Sequence, residues 1–321
     1  LADYGGGSGC GAMYFHDQRW PADYQNLLLT CDWGTSVVYS HQLPANGATF
    51  DPQQDAFLKL PRPTDIDVDA SGRMYVSSWK NGKFAYDGPD VGFVAQITPQ
   101  DFTPRPVPDV KSVDEQQLVA LLGSASAACR QHGQSEILRR YAGNTSAAGQ
   151  QSLQAAVLGL ASDDAAPPYG RVAAIYTLKQ MVGVGAIPSL TRLAKDPSVR
   201  EHCLRALADR RSELDGIPLA VFRDGLQDAN PRVQVAAVTG LSRIFSSGFE
   251  KGYVVADAAQ PAAAVAAHRA GLALEILPLT IRDSKPPVPE GDAWRQPDPG
   301  RVLPHLAVRA LVDMNALNEC I

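Results

Sequence analysis

Asp65, Asp67 and Asp69 alternate with Ile66 and Val68 in the stretch TDIDVDASG, the spacing with which calcium loops open. Counted from Asp65, such a loop needs glycine at its sixth position and a carboxylate at its twelfth. This chain has Ala70 and Val76 there, so the calcium loop fails. With the period of a strand, the carboxylates lie along one side and Ile66 and Val68 along the other, and the row is read as a solvated face or a channel lining. His16 and His41 are of the type that can act as bases near neutral pH, but each stands alone in an expected hairpin and is read as hydrogen-bonded structure. The run GGGSGCG at 5–11 follows no expected strand and precedes no expected helix, so it is read as a loop and not as a phosphate cradle.

Five cysteines, Cys10, Cys31, Cys129, Cys203 and Cys320, include no C-x-x-C pair, which removes a zinc ribbon, a thioredoxin motif and a c-type haem attachment site. Cys129 and Cys203 fall in expected helices and are read as small core residues. Cys10 and Cys31 flank one expected hairpin. A bridge between them would fit an oxidising compartment; two free thiols are the alternative.

The elements that must position these residues change character along the chain. From Gly11 to Thr98, short apolar runs alternate with Gly, Pro, Asn and Asp clusters, which is the punctuation of strands. NLLLTCDWG (26–34) pairs with TSVVYSHQL (35–43), PANGATF holds an Asn-Gly turn, TDIDVDASGRMYVSSW reverses at Ser71-Gly72, and GFVAQITP (92–99) closes the region. About two four-stranded sheets are expected. Consecutive small sheets are the unit of a β-propeller, whose blades bury their faces against neighbouring blades. Two blades cannot close a ring, so residues 1–102 are expected to be the final blades of a partial β-propeller whose remaining blades lie elsewhere in a parent protein or in a partner.

TPRPVPDVKS carries a proline-rich linker over 103–112, and Ser112 with Glu115 offers a capping box for the first helix. Beyond it the period is helical. GRVAAIYTL, VREHCLRAL, VQVAAVTGL and LPHLAVRAL share small residues and leucines; aligned at Arg171, Arg200, Gln234 and Pro304 they step by 29, 34 and 70 residues, the last about twice a helical repeat length. Asp196 or Asp228, with Pro197 or Pro231 close behind, stands where a helix cap is expected. Residues 113–321 are therefore expected to form an all-α, HEAT-like solenoid with a proline-rich insertion at 282–300.

The stretch FHDQRWPADYQNLLLTCDWGTSVVYSHQL followed by RPTDIDVDASGRMYVSSW resembles the terminal blades of sorbosone and glucose dehydrogenase type propellers. It is most similar to the large secreted planctomycete-type membrane-bound dehydrogenase family, in which a propeller precedes HEAT-like helices and a c-type cytochrome domain often follows. The resemblance covers residues 10–98 of the sheet region. It implies a secreted location, periplasmic or extracellular, and a quinone cofactor, pyrroloquinoline quinone (PQQ), in a channel. Carried over by position it points to Arg62, Asp65 and Trp79, with Asp32 and Trp33 in the preceding blade, as cofactor-binding residues. Each has a structural alternative: Arg62 as the holder of an interblade carboxylate, Trp33 and Trp79 as interblade packing. Haem c is implied only for a domain outside this chain.

A net charge of -5 and pI of about 5.7 give no cationic surface with which to neutralise a phosphate backbone, and nucleic acid is not an expected partner. The most apolar stretch, 262–281, is broken by His268, Arg269, Glu275 and Pro278, short of the roughly 20 residues of a transmembrane helix. Two functions remain. One is a quinone-dependent sugar or alcohol dehydrogenase-like protein linked to electron transfer, with catalytic residues unassigned. The other is a non-catalytic scaffold that binds protein or glycan partners, the helical surface serving protein partners.

Overall fold

The computed structural model describes residues 7–80, 90–143, 146–246, 262–281 and 299–321. Most of the proline-rich stretch at 282–300 and the start of GGGSGCG lie outside the described residues. The chain divides into two compact units: one holds most of the residues up to Ile137, the other Ala45–Phe50 and most of those from Leu138 onward.

In the first unit β1 (Gly9–His16), β2 (Asn26–Asp32) and β3 (Val37–Gln42) pair antiparallel in chain order. The short strands β4 (Ala45–Asn46) and β5 (Thr49–Phe50) form a separate hairpin about the expected Asn-Gly turn, with Gly47 at φ 53°. β6 (Gln53–Lys59) then completes the four-stranded sheet against β3, and β7 (Pro63–Val68), β8 (Met74–Trp79) and β9 (Gly92–Ile97) make a second, three-stranded sheet. Residues 9–11 of the glycine-rich run belong to β1 and are not a loop. Glycine is required there: a Cβ on Gly11 would stand 2.5 Å from the Asp65 backbone.

Alternation decides the core. Leu27, Leu29 and Cys31 of β2 turn inward, as do Met74 and Val76 of β8. They meet in one cluster with Phe15, Trp20, Val38 and Ile66. Each such large apolar side chain contributes about 1.5–3 kcal/mol by leaving water. The Trp20 indole N–H donates to the Gly72 carbonyl at 2.9 Å, so the polar edge of the ring is also satisfied.

This shared core overturns the expected architecture. The partial β-propeller requires two small sheets whose faces are left for neighbouring blades to cover, yet residues of both sheets bury one another. Ala70 packs further against Ala128 and Cys129, in the part of the helical sequence that belongs to this unit. No ring of blades closes among the described residues. Final propeller blades followed by a HEAT-like solenoid are replaced by antiparallel sheets followed by a helical region.

Among the described residues the α-helices are α1 (Glu115–Ala120), α2 (Ala127–Gly143), α3 (Ala147–Ser162), α4 (Pro168–Val182), α5 (Ile187–Leu193), α6 (Arg200–Leu207), α7 (Leu219–Leu226), α8 (Pro231–Ser246), α9 (Ala262–Ile276) and α10 (Pro299–Asp313). α1 is capped by Asp114 with Gln117, each side chain bonding the other's backbone N–H. The expected box two residues earlier is unused, because the Ser112 hydroxyl donates to the Asp109 carbonyl. In the second unit α3 packs on α4, α5 on α6, α7 on α8, and α8 on α10. Phe222, Leu204 and Leu241 are wholly buried there.

Candidate functional site

The end of β2 with the turn after it, Arg62 just before β7, and the end of β8 bring together four of the five residues expected at a cofactor. Trp33 and Trp79 meet edge to face, ring centres 6.0 Å apart at 87°. The Arg62 guanidinium lies 4.4 Å from the centre of the Trp33 ring, and its Nη1 donates to the carbonyls of Trp33 and Gly34, both at 2.8 Å. Arg62 itself has φ 49°, a left-handed backbone that costs a residue with a Cβ roughly 1–2 kcal/mol and persists only where its surroundings hold it. Asp32 Oδ1 accepts the amides of Ser8 (3.0 Å) and Thr35 (2.9 Å). Burial pushes this carboxyl up, but the hydrogen bonds prevail and hold it below the usual range. The carboxylate thus closes its own turn.

Asp65 is not joined to this group through its carboxylate. Its Oδ1 accepts the adjoining Ile66 amide at 2.9 Å, and Asp67 does the same for Val68 at 2.8 Å. Asp69 accepts the Ser71 hydroxyl (2.6 Å), the Arg73 amide (3.1 Å) and the Tyr75 hydroxyl (3.1 Å), locking the turn in which Gly72 takes φ 94°. Asp65 and Asp67 are thus exposed on β7, and Asp69 alone of the three holds the turn. Cys10 and Cys31 are free thiols: Cys31 points into the core, where burial raises its pKa to about 12, while Cys10 donates to the carbonyls of Pro63 at 3.1 Å and Cys31 at 3.5 Å. The bridge is not formed. His16 bonds Arg130 at 3.1 Å and His41 bonds Thr30 at 2.8 Å; burial lowers both pKa values, helped at His16 by Arg130.

The second unit carries a ladder of ion pairs that recurs with the repeat. Arg171 of α4 donates to Asp196 at 2.6 Å and to Ser198 at 2.9 Å in the turn before α6. Arg200 of α6 pairs in the same way with Asp228 before α8. The two aspartates therefore bind the preceding repeat's arginine; the N-cap of α6 is Val199, which makes no side-chain cap bond. Burial opposes ionisation at both, yet Arg171 and Ser198 at Asp196, and the Asn230 amide and Arg200 at Asp228, hold both pKa values below the ordinary range. Groups depressed in this way stabilise the fold fully above the unfolded carboxylate pKa of about 4 and lose that contribution as pH falls through the folded values. The urea midpoint, followed by far-UV circular dichroism, is expected to begin falling below about pH 6.5, where the unfolded chain takes up protons that His16 and the buried His41 resist, and to drop further below about pH 4 as the two aspartates protonate. A midpoint that rises on acidification would contradict the ladder.

Two cavities, neither of which sequence reasoning found, lie in the second unit. An apolar groove of about 480 Å³ is lined by Leu277, Val308, Leu311, Val312, Ala316 and Leu317 among others. A smaller pocket of about 190 Å³ is lined by Arg211, Thr239, Ser242, Arg243, Leu306 and Arg309. Thr239, Ser242 and Arg243 share one face of α8 by helical spacing, as do Leu306 and Arg309 on α10. That periodic signal is present in the sequence, but only the packing of α8 on α10 brings the two faces together.

No family model matches this chain, and no curated protein matches it. Among the described residues, no helix is long and apolar enough to cross a membrane.

Proposed function

We propose that this chain is a non-catalytic binding module that receives a protein partner. One observation carries the reading: Arg62, the cation expected at a cofactor, commits its guanidinium to two backbone carbonyls and the face of Trp33. The expectation of a quinone-dependent dehydrogenase drew on the propeller likeness, and the shared core of the two sheets withdraws the channel on which it rested. The apolar groove supports recognition of protein. Val308, Val312 and Leu317 on its walls are 50%, 72% and 67% exposed, a degree of exposure that marks a contact surface when such residues are contiguous. Its lining is mainly aliphatic, with Thr280, Asn315 and Cys320 and no aromatic ring on which a sugar could stack, and it suits the apolar face of a partner helix better than a glycan.

The test is a dye-reduction assay with the full chain, PQQ, calcium ions and an aldose. No turnover above the protein-free control is expected, and PQQ is expected not to quench tryptophan emission saturably. Stoichiometric uptake of PQQ with aldose-dependent dye reduction would overturn the reading.

A further inference from the structure

We infer that the pocket between α8, α10 and the turn at Arg211–Glu213 is a binding site for a phosphate group, free or as the head of a small monoester. Three guanidinium groups, those of Arg211, Arg243 and Arg309, line it together with the hydroxyl-bearing residues Thr239 and Ser242. They come from three separate elements, so their convergence is a property of the packing and not of one basic run. The chain as a whole is acidic, at -5, which makes the concentration of charge local.

The ordinary explanation for an arginine cluster is that each cation already has a carboxylate. That holds elsewhere in this unit: Arg171, Arg200, Arg205, Arg210, Arg223 and Arg232 all pair with acidic side chains. It fails at the pocket. Arg211, Arg243 and Arg309 make no ion pair among the described residues. Glu213, two positions from Arg211, is held by Lys179 at 2.9 Å and Arg210 at 3.0 Å. Arg243 is oriented by neutral groups: its Nη1 donates to the carbonyls of Ala208 and Asp209, which fixes the guanidinium plane without neutralising it. The carboxylate nearest in bonding terms is Asp313, which accepts the Ser242 hydroxyl. Three cations stand against one such acid.

Guanidinium forks match the oxygens of a tetrahedral anion two at a time, and the Thr239 hydroxyl supplies a further donor, that of Ser242 being given to Asp313. Size narrows the ligand. Pockets for drug-sized molecules run from about 300 to 1,000 Å³; about 190 Å³ accommodates a phosphoryl head and little more. Leu306 at the wall gives the carbon next to an ester oxygen an apolar contact, while a nucleic-acid backbone would need charge spread far beyond this one pocket. The site stands apart from the apolar groove and does not depend on the proposed protein partner.

Calorimetric titration of the full chain at constant ionic strength tests it, with inorganic phosphate and glycerol 2-phosphate as ligands and citrate and chloride as controls. Saturable binding of phosphate, of the ester or of both is expected; the ester alone, or more tightly, identifies a monoester as the source, and phosphate alone a free ion. Arg211→Gln and Arg309→Gln each change an exposed side chain and are expected to weaken binding about tenfold, the loss of one charge-assisted contact. Arg223→Gln, which removes a cation paired with Glu275, is expected to leave affinity unchanged. Unaltered far-UV circular dichroism shows that the variants fold, and Thr239→Ala provides a further lining change should either arginine variant fail to do so. Heat no different from chloride, equal binding of citrate, or arginine variants that bind as the parent does would each overturn the assignment.

Discussion

Replacing Arg171 by alanine is expected to cost about 3 kcal/mol, read as a fall in the urea midpoint without loss of cooperativity. The side chain is 5% exposed and makes three hydrogen bonds, Nε to the Ala161 carbonyl at 3.1 Å, Nη1 to Ser198 at 2.9 Å and Nη2 to Asp196 at 2.6 Å, with Nη2 also 3.3 Å from the exposed Asp164 carboxylate. Truncation leaves the carbonyl of a fully buried residue without its donor and a carboxylate without its counter-ion. Breaking a buried pair costs about 3–5 kcal/mol, and because Asp196 is 31% exposed water recovers part of that, which places the effect at the lower end. Arg171→Lys should lose most of it too, since a single ammonium cannot reach three acceptors held in fork geometry. An alanine variant within 0.5 kcal/mol of the parent, the usual range for inert surface changes, would show the ladder to be passive.

Phe15→Ala is expected to cost about 3–5 kcal/mol. The ring is 1% exposed and meets Trp20 edge to face at 4.8 Å. Removing it opens a cavity in the cluster that also holds Met74 and Val76 of the second sheet. The consequence can be located by amide hydrogen exchange: protection should fall at Leu29 and Val38 and equally at Met74 and Val76, because both sheets depend on the same interior. Loss confined to the first sheet would mean that the sheets are stabilised independently.

What could be read from the chain was what neighbouring residues decide among themselves. The Asn46-Gly47 turn, the Ser71-Gly72 reversal and the change to helical period near residue 112 all rest on contacts a few residues apart. The alternation in NLLLTCD and MYVSSW marks which side chains are buried, but it is silent on what buries them. That silence produced the propeller expectation. The Ser112 box with Glu115 and the Asp114 box with Gln117 have the same spacing in the sequence, and the bond from Ser112 to Asp109 leaves the second to cap the helix. Asp196 and Asp228 stand where caps belong, and their true partners lie 25 and 28 residues upstream. The arginine pocket needs α8 against α10, with more than a helix of sequence between. Of Arg62, Asp65, Trp79, Asp32 and Trp33, which the resemblance points to as cofactor-binding, Arg62 gives its guanidinium to the backbone carbonyls of Trp33 and Gly34, a contact that no local sequence pattern displays.

On the proposed reading, Arg62, Trp33 and Trp79 serve the chain's own structure. Residues kept for a ligand tend to cost stability, and their removal is neutral or stabilising; residues that hold a turn do the reverse. Comparison of Arg62→Ala with the parent by tryptophan-detected urea unfolding is therefore the most direct measurement. The loss of two charge-assisted bonds and a cation–π contact, discounted for partial exposure, should lower stability by about 1–2 kcal/mol, and Arg62→Gly should lose less because glycine accepts the positive φ. An alanine variant as stable as the parent, or more stable, would contradict the account.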